Sequence, residues 1–104
     1  MATINISIPE ARFRDYCAGY LMTHKGFRAV RTPPYNDYHG ADLIGTDGRG
    51  RLWVIKCKVY ADSPDNAAVQ EVIAAKAHYG ASCGGVITNT DLSKWGMRLH
   101  EVGV

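Results

Sequence analysis

Two lysines and one aspartate stand where this chain could handle a phosphate group. In the run Arg51 to Tyr60 the side chains of a strand alternate between two faces, so Lys56 and Lys58 end one otherwise apolar face. Ammonium groups in a central strand need solvent, a carboxylate or a phosphate, and Asp42 on the preceding strand is a candidate carboxylate. The alternative is an edge strand whose lysines extend into water. From these residues alone, both interpretations stand equal.

The composition restricts the other kinds of site. The three cysteines, Cys17, Cys57 and Cys83, form no CxxC motif and no Cys/His zinc spacing, so neither a disulfide framework nor a zinc site is indicated. The four histidines are scattered without the spacing of metal ligands. The formal charge of +2 does not imply a polyanionic partner by itself, although some of the twelve Lys and Arg could cluster into a phosphate-binding face.

The length and the apolar pattern bear on organisation. The 104 residues are enough for one hydrophobic core and too few for two, so we expect a single domain over residues 1–104. No apolar stretch approaches membrane-spanning length, and the N-terminus lacks the basic and apolar regions of a signal peptide. We therefore expect a cytoplasmic protein.

The first half of the chain predicts a helix followed by three strands. Thr3 to Ile8 alternates with period two, as in a short edge strand or a frayed start, and such an edge is a hypothetical seam for a homodimer. Ser7 and Glu10 have the spacing of a capping box and predict a helix that Gly26 ends. The Asp47-Gly48 step predicts a hairpin turn with positive φ between the last two strands. The predicted strands are Phe27 to Thr32, Ala41 to Thr46 and Arg51 to Tyr60.

The second half predicts a helix, a strand and a last helix. Ala67 to Tyr79 is rich in helix-forming residues and stops at Gly80, and the β-branched run Gly84 to Thr88 is short enough for a buried strand. Thr90 or Asp91 can cap a last helix to about His100, with Leu92, Trp95, Gly96 and Leu99 on one side. The predicted order is αβββαβα, an α/β fold in which helices flank a mixed central sheet.

Several short segments, taken in order and spacing, resemble one family. The resemblance runs from about Arg12 to Leu99, and the ordered set is specific although no single segment is. These segments are GADLI at 40–44, VIKCKVY at 54–60, VQEV at 69–72, AAK at 74–76, YG at 79–80 and GVITN at 85–89. The chain thus resembles the Mrr-like restriction endonuclease domain, a member of the PD-(D/E)xK nuclease superfamily with an αβββαβ core.

The resemblance implies a metal-dependent endodeoxyribonuclease. Asp42 would bind Mg²⁺, with Mn²⁺ as the alternative ion, and the backbone carbonyl of Cys57 would add a ligand. Lys58 would orient the attacking water and stabilise charge on the phosphorus, as general metal and electrostatic catalysis suggest. The implied partner is DNA.

One departure from the family lies at Lys56, where the family has Gln, or Glu in the wider fold. A protonated lysine cannot bind a hard cation and repels it. We consider two roles for Lys56: contact with a DNA phosphate, or proton transfer if its pKa is lowered beside Lys58. The first role suggests a second function, a catalytically lapsed nuclease fold that binds DNA or a nuclease partner without cutting.

Three further residues are candidates for substrate binding. Arg14 stands where the family usually has Glu and would attract phosphate. His39 lies beside Gly40 and, relative to the family that the chain resembles, lengthens the Asp37 to Gly40 turn by one residue. Gln70 opens the second helix where the resemblance places a polar contact, although Gln is also ordinary in a first helical turn.

Overall fold

The computed structural model describes residues 10–34, 40–59, 61–89 and 96–103. The predicted strand at Thr3 to Ile8 and the cap residue Ser7 lie outside these ranges. Neither helix within them is long and apolar enough to cross a membrane. In chain order the elements are α1 (Glu10–His24), β1 (Arg28–Arg31), β2 (Leu43–Thr46), β3 (Leu52–Val59), α2 (Asn66–Tyr79), β4 (Cys83–Asn89) and β5 (Met97–Glu101).

The five strands form one sheet in the order β1-β2-β3-β4-β5. The predicted hairpin of β2 and β3 is confirmed, with Leu43 opposite Ile55 and Thr46 opposite Leu52. β3 and β4 run parallel because α2 returns the chain between them, whereas the other neighbours are antiparallel. The sheet is therefore mixed, and the predicted α/β fold is confirmed.

The alternation predicted for β3 decides which helix covers each face of the sheet. Trp53 and Ile55 pack on one side with residues of α1, among them Phe13, Cys17 and Leu21. The opposite side of the sheet packs against α2, in a cluster that includes Val54, Ala68, Val72, Ala75 and Val86. Lys56 and Lys58 share the parity of Val54, so they follow it along the α2 face.

The sequence around α2 contains its own start and stop signals. Asp65 caps the first turn, because its Oδ1 accepts the Ala68 N–H at 2.7 Å. Gly80 ends the helix in the left-handed conformation, with φ of 62°, and its N–H bonds back to the last turn. The helix predicted at Ala67 to Tyr79 is confirmed, and its capped first turn lies toward the end of β3 that carries the lysines.

The turn between β2 and β3 is organised by the side chain of Asp47. Its Oδ1 accepts the backbone N–H groups of Arg49 and Arg51, at 2.9 and 3.0 Å. The positive φ lies at Gly50, with a value of 80°, and not at Gly48 as predicted. The Asp47 carboxylate fixes the backbone of the turn through these two hydrogen bonds. The left-handed residue of the turn is therefore Gly50, its last residue.

Asp47 is also expected to make stability depend on pH. Its Oδ2 accepts the Trp53 indole N–H at 2.9 Å and the Arg51 Nε–H at 2.8 Å. The indole hydrogen bond, outweighing the effect of burial, holds the pKa of Asp47 well below its ordinary value. A lowered pKa contributes stability that is present above about pH 4 and is lost as the pH falls.

We expect Asp47→Asn to lower the melting temperature at pH 7 by roughly 4–8 °C. The difference from the native chain should shrink below about pH 4, because the native carboxylate is then losing its charge. Thermal unfolding followed by circular dichroism from pH 7 to pH 3 measures both effects. A difference that stays constant over this range would contradict the assignment.

The prediction of a last helix reaching His100 is wrong where the structure describes it. Met97–Glu101 is the strand β5, antiparallel to β4, with Ile87 opposite Leu99. Leu92, Trp95 and Leu99 suggested helical spacing, but Met97 and Leu99 alternate with Arg98 and pack toward the α1 side of the core. A strand here supplies hydrogen-bond partners to the backbone of the buried strand β4. This long-range pairing overrides the local helical pattern. Residues 90–95 lie outside the described ranges.

Candidate active site

Asp42 lies one residue before β2 and is fixed to β3 by its backbone and its side chain. The Asp42 N–H donates to the carbonyl of Ile55 at 2.8 Å, and Asp42 Oδ2 accepts the Cys57 N–H at 2.8 Å. These bonds continue the pairing of β2 with β3 beyond Leu43. A carboxylate has two oxygens and about four lone pairs, so the bond to Cys57 leaves it able to bind a cation.

The backbone carbonyl and the side-chain thiol of Cys57 face different parts of the structure. In an extended strand the N–H and C=O of one residue face the same neighbour, so the Cys57 carbonyl lies on the Asp42 side of β3. The side chain instead packs toward α1. A hydrogen bond with Cys17, and then burial, raise the pKa of the Cys57 thiol well above its ordinary value. The thiol stays protonated, and only the carbonyl is a reasonable metal ligand.

A cavity of about 280 Å³ opens where α1, the start of β2 and the end of β3 meet. It brings together five residues that the sequence analysis singled out, although they come from separate parts of the chain. Its lining residues are Phe13, Arg14, Asp42, Lys56, Cys57, Lys58 and Val59. Among the described residues, the lining therefore combines one carboxylate with three cationic side chains, a composition suited to a phosphate group.

Lys58 is held by the cap residue of α2. Its Nζ lies 3.3 Å from Asp65 Oδ2, and the side chain of Lys58 is 41% exposed. The hydrogen bond from the Ala68 N–H and then the one from Lys58 lower the pKa of Asp65. Asp65 stays ionised and the contact is open to solvent, so a phosphate can compete with it for the ammonium group.

Lys56 is more buried than Lys58 and forms a shorter ion pair. Its Nζ lies 2.8 Å from Glu71 Oε2, and its side chain is 21% exposed. Burial alone would lower the pKa of Lys56, but the bond to Glu71 and the charges of Asp42 and Glu71 outweigh it, so the pKa is raised. The lowered pKa considered for proton transfer is therefore wrong in direction, and Lys56 remains an ammonium group.

The lysines also differ from expectation in their partners. Asp42 was the candidate carboxylate, yet the ion pairs reach Glu71 and Asp65, which belong to α2 and its cap. The reason is geometrical, because Lys56 and Lys58 project on the face of β3 that α2 covers. The sequence signalled Asp65 only as a helix cap. Nothing in it signalled Glu71 as a lysine partner.

Gly40 sets the distance between the Asp42 segment and α2. Its φ is +81°, and an added Cβ would lie 2.5 Å from the carbonyl oxygen of Glu71. That oxygen belongs to a helix backbone and cannot move aside easily. Glycine therefore lets the chain before Asp42 rest directly on the turn of α2 that carries Glu71.

We expect Gly40→Ala to separate these two segments. The variant should melt at least about 5 °C below the native chain, since both the positive φ and the contact are strained. Gly103→Ala is the matched control, because a Cβ there has no atom within 4 Å. An unchanged melting temperature for Gly40→Ala, measured beside Gly103→Ala, would contradict this role.

The substrate-binding candidates Gln70 and His39 have different outcomes. Gln70 is exposed on α2 and is not among the residues that line the cavity. His39 lies outside the residues that the structure describes. Of the two candidates that the structure describes, Arg14 lines the cavity and Gln70 does not.

Comparison with known protein families identifies the family to which this chain belongs. The model of the restriction endonuclease family, the Mrr catalytic domain, matches residues 7–98. The chain belongs to this restriction endonuclease family. The match spans nearly the whole chain and includes every element that lines the cavity. No curated protein and no solved structure matches the chain significantly.

Restriction endonucleases typically use divalent metal ions, and two oxygen donors of this cavity are suitable ligands for such an ion. Among the described residues no three His, Cys, Asp or Glu side chains are grouped to hold a metal. However, Mg²⁺ in proteins is commonly held by one or two carboxylates together with water and substrate phosphate. The Asp42 carboxylate and the Cys57 carbonyl meet that minimum on one edge of β3. Lys56 adds no ligand, because an ammonium group has no lone pair to donate.

Proposed function

We propose that this chain is a Mg²⁺-dependent endodeoxyribonuclease domain, able to use Mn²⁺, that hydrolyses phosphodiester bonds in DNA. The observation that carries the proposal is the bond from the Cys57 N–H to Asp42, which fixes a carboxylate in the cavity that Lys58 also lines. Family membership supports the nuclease class, and the cavity's charge supports a phosphate substrate.

Each side chain has a separate task in this proposal. Asp42 and the Cys57 carbonyl would hold the metal ion, which when bound supplies an activated water and neutralises charge on the phosphate. Lys58 would exchange its solvent-exposed contact with Asp65 for the scissile phosphate and stabilise the charge that develops there. Asp65 is left as the helix cap, because its other oxygen keeps the bond to Ala68.

The remaining cations would position the DNA. Arg14 lines the cavity from α1, opposite the α2 carboxylates that hold the two lysines. A guanidinium can bind two phosphate oxygens at once, so Arg14 would fix the backbone rather than take part in bond breaking. Contacts to phosphate do not distinguish one base sequence from another. Specificity, if any, would come from DNA shape or from another protein.

A second function, DNA binding without cleavage, is favoured by one observation. Lys56 holds the position that carries a metal-binding side chain in the family, and its raised pKa keeps it charged. Exchanging an acceptor for a cation strengthens ground-state attraction to DNA and weakens the attraction to Mg²⁺. The two functions differ in whether DNA is cut, not in whether it is bound.

Cleavage of several DNA forms tests the proposal. Supercoiled, linear and branched DNA are incubated with the native chain in Mg²⁺, in Mn²⁺ or in EDTA, and DNA affinity is measured in parallel. Metal-dependent nicking of at least one form is expected. Salt-sensitive binding to every form with no nicking in either ion would favour the second function.

A further inference from the structure

The Lys56 ammonium lies near two carboxylates from separate parts of the chain. Glu71 Oε2 of α2 lies 2.8 Å from Lys56 Nζ, and the Asp42 carboxylate lines the same cavity as Lys56. An ammonium group has three N–H donors, and the bond to Glu71 uses one of them. Lys56 therefore has donors left for a further anion in the cavity.

A fixed positive charge would reduce the electrostatic repulsion between DNA and a carboxylate in the site. The Asp42 carboxylate repels an incoming phosphate, and in a site that relies on metal a divalent cation offsets this repulsion. Here Lys56 places a positive charge in the cavity that Asp42 also lines, before any ion arrives. Because the charge is covalently attached, its presence does not depend on metal concentration.

The surroundings of Lys56 hold the ammonium in place. Its side chain is largely covered by the protein and ends on Glu71, whose backbone packs against Gly40. Gly40 in turn lies two residues before Asp42. The helix, the lysine and the carboxylate are thus held as one unit, and little side-chain freedom remains to be lost when a phosphate binds.

We propose that Lys56 is a tethered cation that holds a DNA phosphate in this cavity without a divalent metal ion. DNA binding is then independent of metal, whereas the cleavage proposed above requires it. This inference deepens the proposed function and rests on it for the identity of the ligand as DNA. It also gives Lys56 a role that an acceptor side chain at the same position cannot perform.

The test measures the affinity of a labelled DNA duplex by fluorescence anisotropy, in EDTA and in Ca²⁺. The native chain should bind equally well in both, within about twofold. Lys56→Gln should bind about tenfold more weakly than the native chain in EDTA and recover most of that loss in Ca²⁺. Its salt dependence in EDTA should also fall by about one unit of slope.

Two matched variants complete the test. Lys56→Arg keeps the charge and should bind in EDTA nearly as the native chain does. Lys25→Gln removes the charge of an exposed lysine just after α1 and should not create a requirement for Ca²⁺. Melting curves confirm that each variant is folded.

Some outcomes overturn the inference. A native chain that binds DNA only in Ca²⁺, or a folded Lys56→Gln that binds like the native chain in EDTA, would overturn it. The two proposals can fail separately. Metal-independent binding without any cleavage refutes only the nuclease, whereas cleavage with strictly Ca²⁺-dependent binding refutes only the tethered cation.

Discussion

Lys58→Ala is expected to reduce Mg²⁺-dependent DNA cleavage by about 10²–10³-fold, the usual loss when one donor to a developing charge is removed. Lys58 lines the same cavity as Asp42, and its ammonium is held by an exposed contact with Asp65 at 3.3 Å. DNA affinity should fall much less, because Arg14 and Lys56 remain. Single-turnover cleavage rates at saturating protein separate the two effects.

Asp65→Asn provides the control for this result. Asparagine caps a helix as well as aspartate does, so α2 keeps its start while Lys58 loses its charged partner. We expect this variant to cut DNA within a few-fold of the native rate. If Lys58→Ala cut as fast as Asp65→Asn, Lys58 would not be the catalytic lysine.

Asp42→Asn is expected to change cleavage and binding in opposite directions. An asparagine oxygen can still accept the Cys57 N–H, so the link between β2 and β3 is kept while the negative charge is lost. Cleavage should fall at least about 10²-fold, because the metal loses its carboxylate ligand. DNA binding in EDTA should tighten, because a charge that repels phosphate is gone.

Glu101→Gln is the control for charge alone. Glu101 is exposed on β5 and pairs with Gly85, toward the end of the sheet away from the cavity. Its loss should leave both cleavage and binding unchanged. The role given to Asp42 fails if Asp42→Asn cuts normally, or if its binding weakens in parallel with its cleavage.

Local patterns in the sequence predicted most elements of the fold. The alternation around Trp53 and Ile55 placed β3 and its two faces correctly, and Asp65 and Gly80 marked the ends of α2. Such signals act within a few residues, so they can be read without the rest of the molecule. The C-terminal strand could not be predicted in this way. It forms because β5 supplies hydrogen-bond partners to the backbone of β4, which is a separate segment of the sequence.

The candidate site divides in the same way. The family resemblance suggested Asp42, Cys57 and Lys58, and the structure places all three around one cavity, while their catalytic roles stay proposals. The partners of the lysines could not be predicted. The bond between Lys56 and Glu71 depends on how α2 packs over β3 and against Gly40, which is a property of tertiary packing.

The most direct test of the proposed nuclease is the nicking of supercoiled DNA by the native chain and by the double variant Asp42→Asn/Lys58→Ala, purified identically. Both proteins are assayed in Mg²⁺ and in EDTA at protein concentrations that saturate the DNA. We predict nicking by the native chain in Mg²⁺ alone, and none by the double variant although it is folded and binds DNA. Equal nicking by both proteins, or none by the native chain while it is bound to DNA, would contradict the assignment of Asp42 and Lys58 as the catalytic pair.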